Sequence, residues 1–116
     1  NAVEFLFNDS NKYFHSNNEN GSWIQYNFKK MSVKPTHYEI KTSLSSNYFP
    51  RSWVIEASND CLGCWKVLDS RNNVQHINAP NSVYVFEISE KLDEDEYYRF
   101  IRFRVTGTNS SGYNYL

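Results

Sequence analysis

In the run Trp53-Val54-Ile55-Glu56-Ala57-Ser58, Trp53, Ile55 and Ala57 fall on one face and Val54, Glu56 and Ser58 on the other. Period-2 alternation through β-branched and aromatic residues is the pattern of a half-buried strand. Ser58-Asn59-Asp60 then supplies turn chemistry, because short polar side chains bond their own backbone, and 65–69 resumes the extended pattern. The same period recurs elsewhere. Ile24, Tyr26 and Phe28 share a face of 23–28, Tyr38 and Ile40 of 36–42, Tyr84, Phe86 and Ile88 of 83–88, and Ile101, Phe103 and Val105 of 97–105. A short apolar run at 3–7 opens the series. No window carries a helical period, so seven extended segments separated by turn clusters predict an all-β sandwich.

Composition agrees with strands. Aromatic residues make up 17% of the 116-residue chain, with 9 Tyr, 8 Phe and 3 Trp, while the single Met is typical of its thin supply of helix formers. The length suits one domain, 1–116. A formal net charge of −1 argues against a nucleic-acid binder, which needs a basic stripe to neutralise phosphates. No stretch reaches the length of a transmembrane segment. The chain opens on Asn1 and is read as a piece of a longer polypeptide. Asn8-Asp9-Ser10, Asn20-Gly21-Ser22 and Asn109-Ser110-Ser111 match the glycosylation sequon, as chance allows in so Asn- and Ser-rich a chain.

If all neighbouring strands run antiparallel, successive connections alternate between the two ends. The long loops 8–22, 43–51 and 69–82 and the tail 106–116 then share one end, and the turns 29–34, 59–64 and 89–96 share the other. Loops on a rigid scaffold are where binding residues collect. Candidate ligand-binding residues at that rim are Tyr13, Phe14, His15, Tyr48, Phe49, Arg51, Arg71 and His76, with Tyr113 beside them. The aromatic rings suit the apolar C–H face of a sugar, and the arginines suit phosphate.

Catalytic and metal chemistry find little purchase. Cys61-Leu62-Gly63-Cys64 is the one metal-like motif, but a structural zinc site wants four ligands and no second C-x2-C exists. Two incidental thiols in a hairpin turn is the simpler reading. The serines have no glycine elbow and the three histidines sit on different segments, so no nucleophile-base pair is in view. The acidic run 89–96 has no turn-setting glycine or spaced Asp/Asn pattern of a calcium loop. No enzyme activity, metal or other cofactor is expected.

Ser22-Trp23-Ile24-Gln25-Tyr26-Asn27-Phe28, Pro35-Thr36-His37-Tyr38, Pro50 through Asp60 with Trp65, and Arg99 through Gly107, in that order and spacing, resemble the coagulation factor 5/8 type C (discoidin-like) domain, above all the variants of protist multidomain proteins. The resemblance spans nearly the whole chain. It implies a galactose-binding-like jelly-roll β-sandwich and a non-enzymatic module that binds carbohydrate, lipid head group or protein through loops at one end. Secreted members tie their termini with a disulfide. No cysteine lies near either end here, which tilts the expectation toward an intracellular setting. The family's final strand is missing after Leu116. Asn8, Asp9 and Asn11 match half of the calcium site of some members, without the carboxylate that completes it. The alternative expectation is a scaffold domain docked by protein contacts with other domains or subunits of a larger assembly, cytoskeletal or ciliary.

Overall fold

The computed structural model describes residues 3–5, 23–28, 32–42, 48–60 and 63–113. It is all-β, with no helix among the described residues. Among the described residues seven strands form two antiparallel sheets: β1 (Val3–Phe5), β2 (Trp23–Asn27), β3 (His37–Thr42), β4 (Trp53–Ser58), β5 (Lys66–Arg71), β6 (Val83–Glu87) and β7 (Phe100–Val105). One sheet has the order β1-β3-β6 and the other β2-β7-β4-β5. Among the described residues there is accordingly no helix long and apolar enough to cross a membrane.

On β3, β4, β6 and β7 the inward-facing apolar residues are those the alternation predicts, while Phe100, read as outward-facing, is buried as well. Tyr38, Ile40 and Phe86 from the three-stranded sheet meet Trp53, Ile55, Ala57, Leu68, Ile101, Phe103 and Val105 from the four-stranded sheet in one buried cluster. The two sheets therefore face each other across a shared core, as in a sandwich. Trp53 is its centre and is fully buried. Its ring lies 5.6 Å from Phe103 in a stacked pair and 5.3 Å from Phe86 edge-on, and Phe86 stacks on Tyr38 at 5.3 Å. Offset and edge contacts of this kind add to simple area burial because ring edges are positive and faces negative.

Three features depart from the sequence expectation. Strand β4 is buried on both faces rather than one: Val54, Glu56 and Ser58 are as inaccessible as Trp53, Ile55 and Ala57. β4 lies between β5 and β7, and long side chains from β7 lie over its outer face, as described below. Second, a β-bulge in β5 sets Ile55 opposite Asp69 but Glu56 opposite Val67. Leu68 is the extra residue, and both Leu68 and Asp69 are buried. Third, β1 does not start at the end that simple alternation requires. Val3 pairs with Thr42 and Phe5 with Ile40, so β1 runs away from the end where β3 finishes. β2 begins at that same end, with Trp23 opposite Arg104. The connection between them therefore leaves from one end and arrives at the other, and β1 and β2 run in the same direction in different sheets.

The remaining connections do alternate. Segments 48–52, 72–82 and 106–113 gather at the end where β4 and β6 start, and 32–36, 59–60, 63–65 and 88–99 at the opposite end. Past β6 the chain covers the outer edge of β5: Glu90 N donates to Leu68 O at 2.9 Å and Ser89 N to Asp69 Oδ1 at 3.2 Å. An edge strand that would otherwise offer open backbone groups is thereby partly capped.

Candidate functional site

Ser52, just before β4, ties the loop end together. Its carbonyl accepts from Thr106 N at 3.0 Å, its Oγ accepts from Asn73 N at 3.0 Å, and the same hydroxyl donates to Asn72 Oδ1 at 3.2 Å. Gly107 sits so close that an added Cβ would lie 3.2 Å from Ser52 Cβ, so a side chain at the crossing of the β4 and β7 ends would need Ser52 to give by a few tenths of an ångström. Asn73 takes a positive φ of 53°, a conformation asparagine tolerates well.

The rim segment 48–51 is held from both sides. Phe49 O accepts from Ser110 N at 2.8 Å and Phe49 N donates to Ser110 Oγ at 2.9 Å. Asn109 folds the 109–113 turn around itself: its Oδ1 accepts from the backbone N–H of Ser111 at 2.9 Å and of Tyr113 at 3.0 Å. Gly112, at φ 83°, makes the left-handed step that a Cβ would disfavour. This turn brings the Tyr113 ring edge-on to Tyr48 at 5.8 Å, with Tyr113 exposed and Tyr48 partly so. Phe49 turns inward against the core. Asn109 itself is buried at 6% exposure, so its sequon presents no accessible amide for a glycan. Asn8 and Asn20 lie outside the described residues.

Arg51 is committed to the scaffold. Its Nη1 donates to Val74 O at 2.7 Å and to Ile77 O at 3.3 Å, while Val74 N donates back to Arg51 O at 2.7 Å. It pins the 74–77 stretch, whose Ile77 is a fully buried core residue. Arg71 is the last residue of β5 rather than part of a loop. Its guanidinium lies 5.1 Å over the Phe86 ring, and the His76 ring lies 5.5 Å from the same ring and 5.9 Å from Tyr84. The structure thus brings Tyr48, Phe49 and Tyr113 together, links them through Arg51 to the 74–77 stretch, and sets Arg71 and His76 together over Phe86 beyond it. Tyr13, Phe14 and His15 lie outside the described residues, as do Asn8, Asp9 and Asn11.

Beneath Arg71 lies a polar chain that the sequence reading missed. Trp53 Nε1 donates to Tyr38 OH at 2.9 Å, and Tyr38 OH donates in turn to Asp69 Oδ2 in a short bond. Arg71 Nε donates to the same oxygen at 2.9 Å, and Arg71 Nη2 donates to Glu87 O at 2.7 Å. Burial pushes the Asp69 carboxyl up, but the hydrogen bonds from Arg71, Tyr38 and Ser89 outweigh it and hold the group below the usual carboxylate range. Burial and the bond to Asp69 push the Tyr38 phenol well above its ordinary value. The signal available in the sequence was Asp69-Ser70-Arg71, opposite charges two apart and hence on one face of a strand.

A second charged set covers the outer face of the four-stranded sheet. Glu56, 5% exposed, accepts from Arg102 at 3.0–3.1 Å and from Arg104 Nε at 2.9 Å and Nη2 at 3.3 Å. Burial raises the Glu56 carboxyl, but the two guanidinium groups prevail and hold it low. Arg102 lies 4.0 Å over the Trp65 ring and 5.8 Å from the Trp23 ring.

At the opposite end, the acidic run is partly engaged. Lys66 Nζ meets Glu96 Oε2 at 2.7 Å, Asp93 N donates to Glu96 Oε1 at 3.0 Å, and Tyr98 OH donates to Glu96. Those contacts hold the Glu96 carboxyl down at about 2. An open groove of about 440 Å3 lies between Lys34–Thr36 and Glu87–Leu92. Cys64 is an exposed free thiol, and Cys61 lies outside the described residues. No grouping of three or more His, Cys, Asp or Glu suited to a metal occurs among the described residues.

Nothing among the protein-family models, the curated proteins or the solved structures matches the chain.

Proposed function

We propose that this chain is a non-catalytic binding module with the jelly-roll topology of discoidin-like domains, recognising its ligand through the loop end of the sandwich. The observation that supports the reading best is the Tyr48–Tyr113 pair, two rings in edge contact at 5.8 Å carried on cross-braced turns. Rings fixed before binding lose little conformational entropy when a sugar stacks on them. His76, exposed on the neighbouring stretch, adds a polar group at the same end. The ligand class that fits is a carbohydrate, with aromatic stacking first and a few hydrogen bonds around it.

A glycan array probed with the purified protein, beside a lipid overlay, tests the proposal. Clear sugar hits that disappear in Tyr48→Ala and Tyr113→Ala are expected. Silence on the array, or hits that survive both substitutions, would remove the rim from consideration.

A second reading, a scaffold domain docked by protein contacts, draws on a different surface. Val83 and Val85 point outward from the edge strand β6 at 50% and 58% exposure. Protein partners that co-purify and are lost in Val83→Lys, Val85→Lys would favour it.

A further inference from the structure

The outer face of the four-stranded sheet holds a cationic-aromatic patch that neither the rim nor the core explains. Its outward residues follow from the register. Trp23, Arg104, Val54 and Ser70 lie in one cross-strand row, and Gln25, Arg102, Glu56 and Val67 in the next. Glu56 is the one carboxylate in these two rows, and it faces two guanidinium groups. One positive charge is therefore left over. Arg104 retains 35% exposure of its side chain, and its hydrogen bonds to Glu56 use Nε and Nη2. Its Nη1 edge is the part of the fork that those bonds leave over, and five donors in a fixed plane suit a carboxylate presented from solvent. Directly across the strand pair from Arg104 stands Trp23, 50% exposed. The indole offers a flat apolar platform beside an oriented cation.

We propose that this sheet face is a second binding site, for a uronate-containing oligosaccharide whose ring stacks on Trp23 and whose carboxylate pairs with Arg104. Two features favour a sugar over an acidic peptide. The apolar groups of the patch are split by the Arg102 guanidinium, with Trp23 on one side and Trp65 and Val67 on the other, whereas a protein interface is built round one cluster of desolvated apolar anchors. The polar groups next to the indole are Gln25 on its own strand and Arg104 on the neighbouring one, a pair suited to hydroxyls. Glu56 has a definite part: it fixes both arginines before any ligand arrives, so their ordering is not charged against binding. Arg102, held between Trp65 and Trp23, keeps the Trp23 ring oriented over the strand and acts as a positioning residue.

The test uses hyaluronan-type oligosaccharides, of alternating uronate and N-acetylhexosamine, against the same oligosaccharides with the carboxylates reduced to alcohols. Binding is followed by calorimetry and by the indole N–H signal of Trp23 in a two-dimensional NMR spectrum. The acidic oligosaccharide is expected to bind and to shift the Trp23 signal. The reduced one should bind at least about tenfold more weakly, and Trp23→Ala should cost a similar factor. Arg104→Lys, which keeps the charge and loses the fork, should weaken binding of the acidic form more than of the reduced form. No binding by the wild-type protein overturns the proposal. So does binding that leaves the Trp23 signal in place or ignores carboxylate reduction, or a poly-glutamate peptide that binds the same face equally well. Because the NMR readout is taken on the wild-type chain, a variant that fails to fold does not rescue the idea.

Discussion

Tyr38 does two things with one hydroxyl, accepting from Trp53 and donating to Asp69, while its ring stacks on Phe86. Removing that oxygen alone leaves the ring packing in place but strands the Trp53 N–H and deprives Asp69 of a donor. Tyr38→Phe should therefore destabilise the fold by about 1–3 kcal/mol, the range for a buried polar group left without its partner. Urea unfolding of the two proteins at neutral pH measures it. Asp69→Ala should cost more, about 3–5 kcal/mol, because it leaves the partly buried Arg71 guanidinium and the buried Tyr38 hydroxyl without their carboxylate. If Tyr38→Phe were neutral, the chain from Trp53 to Arg71 would be a geometric coincidence and not a brace between the two sheets.

At the scale of elements, β5 depends on what happens after β6. Glu90 lies outside every strand and is exposed, yet its amide bonds Leu68 O at the bulge. The Glu90 amide should exchange with solvent as slowly as strand amides do, and Glu90→Pro, which deletes that donor, should cost about 1–3 kcal/mol. Fast exchange at Glu90 would mean that this edge of β5 is open in solution. The bulge also marks where the sequence stops being readable. Strand positions and inward faces were legible because side-chain period is intrinsic to an extended chain. Trp53, Ile55, Tyr38, Phe86 and Phe103 all face as their alternation says. Asp69 was not legible, because an extra residue at Leu68 shifts the register by one and turns a charge inward. Glu56 reads as a solvent-facing residue on period alone. Its burial depends on Arg102 and Arg104 of a strand distant in sequence. The direction of β1 was invisible for another reason: three paired residues carry almost no pattern, and alternation of loop ends was an assumption about topology. Of the rim, that assumption puts Tyr48, Phe49 and Tyr113 at one end; the Tyr48 and Tyr113 rings do meet there, while Phe49 turns into the core. Arg51 and Arg71, chosen as phosphate ligands, are instead held by backbone carbonyls and by Asp69, contacts that no local pattern announces.

For the molecule as a whole, these buried charges set a pH window for stability. Asp69 and Glu56 have carboxyl groups held below their ordinary range in the fold. The unfolded chain, with carboxylates titrating near pH ~4, therefore takes up protons before the folded chain does. Their contribution is complete above about pH 5 and is lost as pH falls through about 4 toward the depressed values. Glu96, held at about 2, shifts in the same direction, but its pair with Lys66 is solvent-screened and adds little. Tyr38 acts at the other limit. Its raised phenol keeps the proton in the fold after the unfolded chain would release it, so its contribution is complete below about pH 10 and is lost as pH rises above that. Urea midpoints from pH 2 to 11 should trace a plateau with both flanks falling. Asp69→Asn should sit lower on the plateau and fall less steeply on the acid side, having no carboxylate at that position to protonate. Tyr38→Phe should likewise flatten the alkaline flank. The phenolate absorbance near 295 nm supplies an independent reading: one tyrosine should ionise only together with unfolding. An acid flank as steep in Asp69→Asn as in the parent would assign the loss to other carboxylates and detach the buried network from the pH response.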